Sequence, residues 1–329
     1  MHGGKLFSQD YVFSQFYEKP LLRNPALAGV FDGDIRISGA YRSQWGSITV
    51  PFRTSSLSVE YKVPFGNSND FLTAAVEMSN DVAGDIKLKK TQILPAINFH
   101  KSIRDDKDSY LSLAFMGGVA ANQFDPTLMK LADQWQNGRY NPMVSSQQRF
   151  DRTGYTYWDA STGLSYSSNF ANDSRFYVGA ALYHFTKPKV AFNSTNSDVY
   201  LQPRYILNGG LNAAVGEYGK IIAFADYVTQ GGNSQLLGGL MYGKHLVQYY
   251  DDDRALMLYC GAFLRWGDAI IPMIKMDMKQ LSIGISYDVN VSKLYVASNW
   301  RGGFELTASY KGFLQTRSST LDKVRCVRF

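Results

Sequence analysis

The residues in this chain that could support chemistry are four histidines, two cysteines and several aspartate runs. His100, His184 and His245 fall in separate strand-like segments, and His2 lies at the start. A hydrolase would need a His, a Ser and a polar orienter converging in space. No nucleophile elbow or paired signature accompanies His184, so it reads as an interfacial or lumen-facing side chain. Asp251-Asp252-Asp253 and Asp105-Asp106-Lys107-Asp108 lie in short turns. They lack the alternating oxygen ligands of a calcium loop, so both read as solvated turns. Cys260 and Cys326 make no disulfide framework, and no zinc spacing is present. No glycine-rich loop follows a strand and opens a helix. The expectation is a chain with no catalytic residue, no cofactor and no metal.

The elements that position these residues are strands. The chain has 329 residues, a net charge of +6 and 45% hydrophobic residues, so it is not disordered by composition. Only 19% of residues are charged, while Tyr 22, Phe 20, Trp 5 and Gly 29 are abundant. Mean hydropathy is −0.22, and no apolar run approaches the length of a membrane helix. Lys and Arg are spread among alternating segments rather than clustered beside stacking aromatics, which argues against nucleic acid. Low charge, many aromatics and no helical span point to an all-β antiparallel transmembrane barrel in an outer membrane.

Period-2 alternation supports this. Leu281, Ile283, Ile285, Tyr287 and Val289 alternate with Ser282, Gly284, Ser286, Asp288 and Asn290. Leu57, Val59, Tyr61 and Val63 alternate with Ser56, Ser58, Glu60 and Lys62. Soluble sandwiches alternate too, but here the runs reach the length of a tilted membrane strand. Aromatics also recur at their ends (Tyr41, Trp45, Tyr61, Phe99, Tyr110, Tyr157, Tyr166, Tyr287, Tyr310), as an interfacial girdle requires. Fourteen strands are predicted, over 34–45, 52–63, 70–80, 88–101, 109–119, 157–168, 174–186, 203–214, 219–229, 233–246, 256–266, 269–277, 280–290 and 303–313. Pro95 and Pro272 each remove a ladder donor and demand a bulge or an unpaired position. An even strand count puts both termini on the periplasmic side. The longest connections, 120–156, 187–202 and 291–302, then all fall outside. Within 120–156, Asp125 can cap and Pro126 suits a first helical position. Leu128, Leu131, Ala132 and Trp135 follow at helical spacing, so a short amphipathic helix over the barrel mouth is expected.

The start, Met1-His2-Gly3-Gly4-Lys5-Leu6-Phe7-Ser8, lacks the apolar stretch of a signal peptide. Export needs one, so residues 1–8 read as a residual leader or mis-called start, with the mature chain beginning near Gln9. No Cys lies there to carry a lipid.

Several short motifs, in order, resemble the PorP/SprF family of Bacteroidetes outer-membrane proteins. They are Phe13-Ser14-Gln15-Phe16, Asn24-Pro25-Ala26-Leu27-Ala28-Gly29, Tyr41-Arg42-Ser43-Gln44-Trp45, Asn80-Asp81-Val82-Ala83-Gly84 and Thr91-Gln92. The series continues with Phe124-Asp125, Asp133-Gln134-Trp135, Gly163-Leu164-Ser165-Tyr166 and His184-Phe185-Thr186-Lys187-Pro188. The tail Val324-Arg325-Cys326-Val327-Arg328-Phe329 is similar to the family's C-terminal signature, with Val327 where a Pro is frequent. Pro95 also interrupts a strand that is usually richer in Ser and Tyr. The resemblance implies a non-enzymatic barrel of the type IX secretion and gliding machinery. It also implies partners: periplasmic ring proteins of the PorK and PorN type and, for members resembling SprF, one large secreted surface adhesin.

Physical reasoning indicates where partners would bind. Residues 9–33 carry too many apolar side chains (Phe13, Phe16, Tyr17, Leu21, Leu22, Leu27, Phe31) to remain in water. They are expected to fold into the lumen or against the periplasmic rim, ahead of the barrel at 34–313. The tail 314–329 is expected to be periplasmic, with Arg325, Cys326, Arg328 and Phe329 docking the ring. Phe13, Gln15, Phe16, Asn24 and Pro25 in the N-terminal segment, and Leu128, Leu131 and Trp135 in the long loop, complete the candidate partner-binding residues. A general or substrate-specific porin is the alternative, with Arg36, Arg42, Glu60, Lys62, Glu77 and Glu305 lining the pore. An outer-membrane lipid hydrolase is the third reading.

Overall fold

The computed structural model describes residues 10–46, 50–66, 69–144, 146–148, 151–171, 174–192, 199–247, 256–292 and 295–314. The tail residues Arg325, Cys326, Arg328 and Phe329 lie outside them. Fourteen antiparallel strands close into one barrel, each paired with its sequence neighbours and the last with the first. They are β1 (Ile35–Gln44), β2 (Phe52–Pro64), β3 (Phe71–Ala83), β4 (Leu88–Arg104), β5 (Ser109–Gln123), β6 (Gly154–Ala171) and β7 (Ser174–Tyr183). After them come β8 (Arg204–Val215), β9 (Gly219–Gln230), β10 (Asn233–Val247), β11 (Leu256–Arg265), β12 (Ala269–Met278), β13 (Leu281–Asn290) and β14 (Arg301–Gly312). Ring closure runs from Ile35 opposite Gly312 to Gln44 opposite Gly303 without a register break. Closure leaves no strand edge unpaired, which a hydrocarbon environment requires.

The burial pattern is inverted relative to a soluble protein. Inward positions are polar and buried: Ser38, Ser58, Glu60, Thr73, Glu77, Ser112, Ser286 and Glu305 among them. Outward positions are large, apolar and exposed, such as Ile37, Leu57, Ile97, Phe115, Leu207, Ile274 and Leu306. Alternate side chains therefore meet lipid and lumen. Tyr41, Trp158, Tyr205, Trp266 and Tyr287 are exposed towards one end of the strands, and Tyr61, Phe65, Tyr218, Tyr310 and Phe313 towards the other. Tyr110 and Tyr157 do not join these girdles. Both point inward and are buried, Tyr110 packing with Val30 and Phe71.

Both prolines sit where a ladder bond is missing. Pro95 is opposite Val76 on β3 but has no partner on β5, where pairing skips from Ile93–Val119 to Ala96–Met116. Pro272 is opposite Ala262 on β11, and its β13 side skips from Ile270–Val289 to Met273–Ser286. Each strand keeps its register because the proline nitrogen faces the gap.

The connections 124–153, 184–203 and 291–300 share one end of the barrel, here the loop end. The other, turn end carries short links such as 105–108, 216–218 and 279–280. The expected helix in the longest loop does not form. Asp125 caps Thr127 and Pro126 takes the first position, but only 3-10 turns follow, at Pro126–Leu128 and Ala132–Gln134. Met129 and Leu131 adopt extended backbone between them, and Trp135–Gln136 pairs with Arg139–Tyr140 in a small hairpin. Isolated helical segments this short lack the hydrogen bonds to offset nucleation.

Candidate functional site

The site is the lumen itself, and the chain fills it. Residues 10–33 touch inward side chains from strands all round the ring, which is possible only from inside. Two 3-10 turns (Phe16–Glu18 and Pro25–Leu27) and one helical turn (Pro20–Arg23) shape this segment, with Pro20 and Pro25 each at a first position. Asn24 accepts a bond from the Ala26 N–H and so caps the last turn.

Apolar side chains of the segment meet apolar patches on the wall. Phe16 and Tyr17 pack against Leu237, Met241, Tyr259, Phe263, Ile271 and Met273. Leu21 and Ala28 pack against Leu94, Ala96, Met116, Ala181 and Ile206. This explains why β11 and β12 are apolar on both faces: one meets lipid, the other meets the plug. Each fully buried side chain of this size contributes about 1.5–3 kcal/mol.

The polar contacts are as specific. Glu305 accepts the backbone N–H groups of Ser14 and Gln15, both at 2.7 Å. Arg23 donates to both carboxylate oxygens of Asp226 while lying over the Phe16 ring, 4.7 Å from its centroid. Lys275 pairs with Glu18 at 2.7 Å and Lys19 with Glu77 at 3.6 Å. Arg42 donates to the Val12 carbonyl and pairs with Asp288. Asn24 donates to the Leu164 and Ala180 carbonyls and to Asn208. Asn98 donates to the Ala26 and Ala28 carbonyls. Gly29, at φ +83°, donates to Glu60, and a Cβ there would run into Thr73 Oγ1. Lys62 donates to the Phe31 carbonyl and lies over its ring.

At the loop end a charged clasp holds Asp10. Its carboxylate meets Lys90 Nζ at 2.7 Å and His184 Nε2 at 2.5 Å, and His184 Nδ1 meets Asp159 at 2.6 Å. Burial alone would lower the His184 pKa, but Asp10 and Asp159 raise it to about 9. Burial likewise pushes the Asp10 carboxyl up, and Lys90 with His184 more than reverses this, leaving it well below the usual range.

Of the residues anticipated from sequence, Phe13, Gln15, Phe16, Asn24 and Pro25 come together in the lumen, all buried. Leu128 and Trp135 are exposed on the long loop and Leu131 is half-buried there, apart from the plug. The inward charges do not line an open pore: Arg36 pairs with Glu60, and Glu305, Glu77 and Lys62 each hold the plug. Sequence reasoning missed Asp10, Asp159 and Asp226, because each finds its partner only when the ring closes. Both His184 nitrogens face carboxylates. His100 does meet Ser112, at 2.8 Å, but the pair is sealed under Gly29 and stacked on Phe71. Cys260 is exposed on the lipid face of β11.

The chain matches, over residues 5–310, the family described as Type IX secretion system membrane protein PorP/SprF. It belongs to the PorP/SprF family. No curated protein matches the chain. Among solved structures, this PorP/SprF protein is similar to the TodX monoaromatic hydrocarbon channel deltaS2 mutant. Identity is 11%, TM-score 0.50, and coverage 89% of this chain and 93% of that one. A Pseudomonas aeruginosa FadL homologue matches at 10% identity and TM-score 0.48, covering 94% and 96%. The CymD monoaromatic hydrocarbon channel matches at 9% and 0.47, covering 91% and 94%. At such identity the TodX likeness speaks to the barrel fold alone. Family and fold together make this PorP/SprF chain an outer-membrane β-barrel of the type IX secretion system. The family is that of a type IX secretion system membrane protein.

Proposed function

We propose that this barrel is a non-enzymatic, closed scaffold of the type IX machinery. It binds periplasmic ring proteins of the PorK and PorN type at its turn end, or helps to secrete or anchor a large surface adhesin at its loop end, or does both. The observation that carries this reading is the filled lumen: Asp10 to Gly33 is fastened to the wall by buried ion pairs and amide bonds, which suits a scaffold better than a diffusive porin. Long loops of outer-membrane barrels face outward, which places the turn end in the periplasm. There the Leu314 N–H donates to Asp34, and the basic tail that follows it in sequence, with Arg325, Cys326, Arg328 and Phe329, is the ring contact in this scheme. Leu128, Leu131 and Trp135 are the outer contact residues in this scheme.

Affinity purification from the native membrane tests it. Ring proteins or a giant adhesin are expected with the intact chain. Deleting residues 318–329 should spare barrel assembly and abolish recovery of the ring. Recovery of neither partner with the intact chain, or unchanged recovery of the ring after the deletion, would refute the scheme.

A further inference from the structure

The described ends of the chain sit at opposite mouths of the barrel. Strands β1 and β14 meet at the turn end, where the Asp34 N–H donates to the Gly312 carbonyl and the Leu314 N–H to Asp34 Oδ2. Asp10 is at the other mouth. Its carboxylate contacts lie at Lys90, near the start of β4, and at His184, just past β7. Its own N–H points to Gln230, the last residue of β9. All three positions are on the loop rim. Below them, Arg42 holds Val12, and Asp288 with Glu305 holds Ser14. The segment dips to Glu18, which reaches Lys275 and Ser309, and turns back through Pro20–Arg23. It then descends past Asn98 and Glu60 to the turn rim. Twenty-odd residues span far more than a bilayer when extended, at up to about 3.3–3.6 Å each, so one crossing with a fold in it is geometrically easy.

We infer that the chain threads its own barrel, so that whatever is joined ahead of Asp10 and whatever follows Leu314 leave by opposite faces. A return path beside the plug has no room. The cavity lined by Asp10, Tyr11 and His184 measures about 30 Å³, its neighbour about 20 Å³, and the one beside Tyr17, Glu18 and Arg23 about 70 Å³. Each holds a few waters, not a polypeptide. Two consequences follow. The segment must enter the lumen before β1 zips to β14, or be drawn through afterwards. In the folded protein, the loop face carries Asp10 beside the long loops. Chain joined ahead of Asp10 is then open to a protease from the loop face, while Leu314 marks the turn face. Assigning the loop face to the cell exterior rests on the proposed orientation; the threading itself does not.

The test is a protease recognition sequence inserted immediately ahead of Asp10 in the full-length protein, with heat-modifiable migration reporting a folded barrel. Met143→Cys marks the loop face and Asp106→Cys the turn face, in a background carrying Cys260→Ser and Cys326→Ser. The expected result is cleavage by protease added to intact cells and labelling of Met143→Cys by an impermeant maleimide. Asp106→Cys should label only after the outer membrane is opened. Cleavage only after opening, while Met143→Cys labels on intact cells, would overturn the threading. If the two markers exchange behaviour, the orientation is wrong; the threading then stands if the cleavage site follows Met143→Cys and falls if it follows Asp106→Cys. Should the insertion prevent folding, Asp10→Cys with a small impermeant thiosulfonate reads the same side. It is expected to label together with Met143→Cys.

Discussion

The two halves of the lumenal thread are held by different physics. From Asp10 to Arg23 the anchors are charges: Lys90 and His184 on Asp10, Glu305 on the Ser14 and Gln15 amides, Lys275 on Glu18, Glu77 on Lys19 and Asp226 on Arg23. From Asn24 to Gly29 they are mostly neutral amide bonds in close packing, to Leu164, Ala180, Asn208, Asn98 and Ser165. A buried ion pair is costly to break by removing one partner, and it depends on both groups staying ionised. Backbone carbonyls do not titrate. The first half is therefore the one that pH and single charge deletions can loosen, and the second is the fixed root.

The sharpest way to break this contrast is Asp226→Ala. It strands the Arg23 guanidinium, buried under Phe16, and should cost roughly 3–5 kcal/mol, the loss expected when one partner of a buried pair is removed. Asn24→Ala leaves the Leu164 and Ala180 carbonyls without that donor and should cost about 1–3 kcal/mol. Both are read from the midpoint of heat-modifiable migration. A milder effect from Asp226→Ala than from Asn24→Ala would invert the comparison.

pH separates the halves without mutation. His184 is raised from 6.5 to about 9, so its contribution is fully present below 6.5 and is lost as pH rises through about 9. Hydrogen exchange, corrected for intrinsic rate, should show residues 10–15 losing protection at least roughly tenfold between pH 6 and pH 10, each pKa unit of the rise from 6.5 to about 9 being worth ~1.4 kcal/mol. Residues 24–29 should hold. Equal loss in both would show that the clasp does not act locally. The smallest effect belongs to Trp135→Ala. This exposed loop residue should change barrel stability by less than about 0.5 kcal/mol, so any larger drop in adhesin recovery reports partner contact.

Much of the barrel was legible because a half-lipid strand writes its face into every second residue. Leu57 to Val63 and Leu281 to Val289 needed no tertiary information, and Pro95 and Pro272 announced their own gaps. That 10–33 would seek cover was legible from Phe13, Phe16, Leu21 and Phe31. Its path was not. The pairs Arg23–Asp226 and Asp10–His184 join residues far apart in sequence, and nothing local to Asp226 distinguishes it from a solvated aspartate. Tyr110 and Tyr157 were misplaced because an aromatic near a strand end reads alike on either face. The loop over Pro126–Trp135 carried helical spacing without the length to sustain a helix. Met257, Tyr259, Ile271 and Met273 were ambiguous for a related reason: an apolar inward face means something only once the plug that covers it is known.

Planar-bilayer conductance of the purified full-length protein tests the central claim most directly. A barrel sealed by its own thread should pass no large steady current at pH 6, with brief openings appearing as pH rises past about 9 and the clasp discharges. A large, steady, pH-independent current from the folded protein would mean that the lumen is open and the thread does not close it.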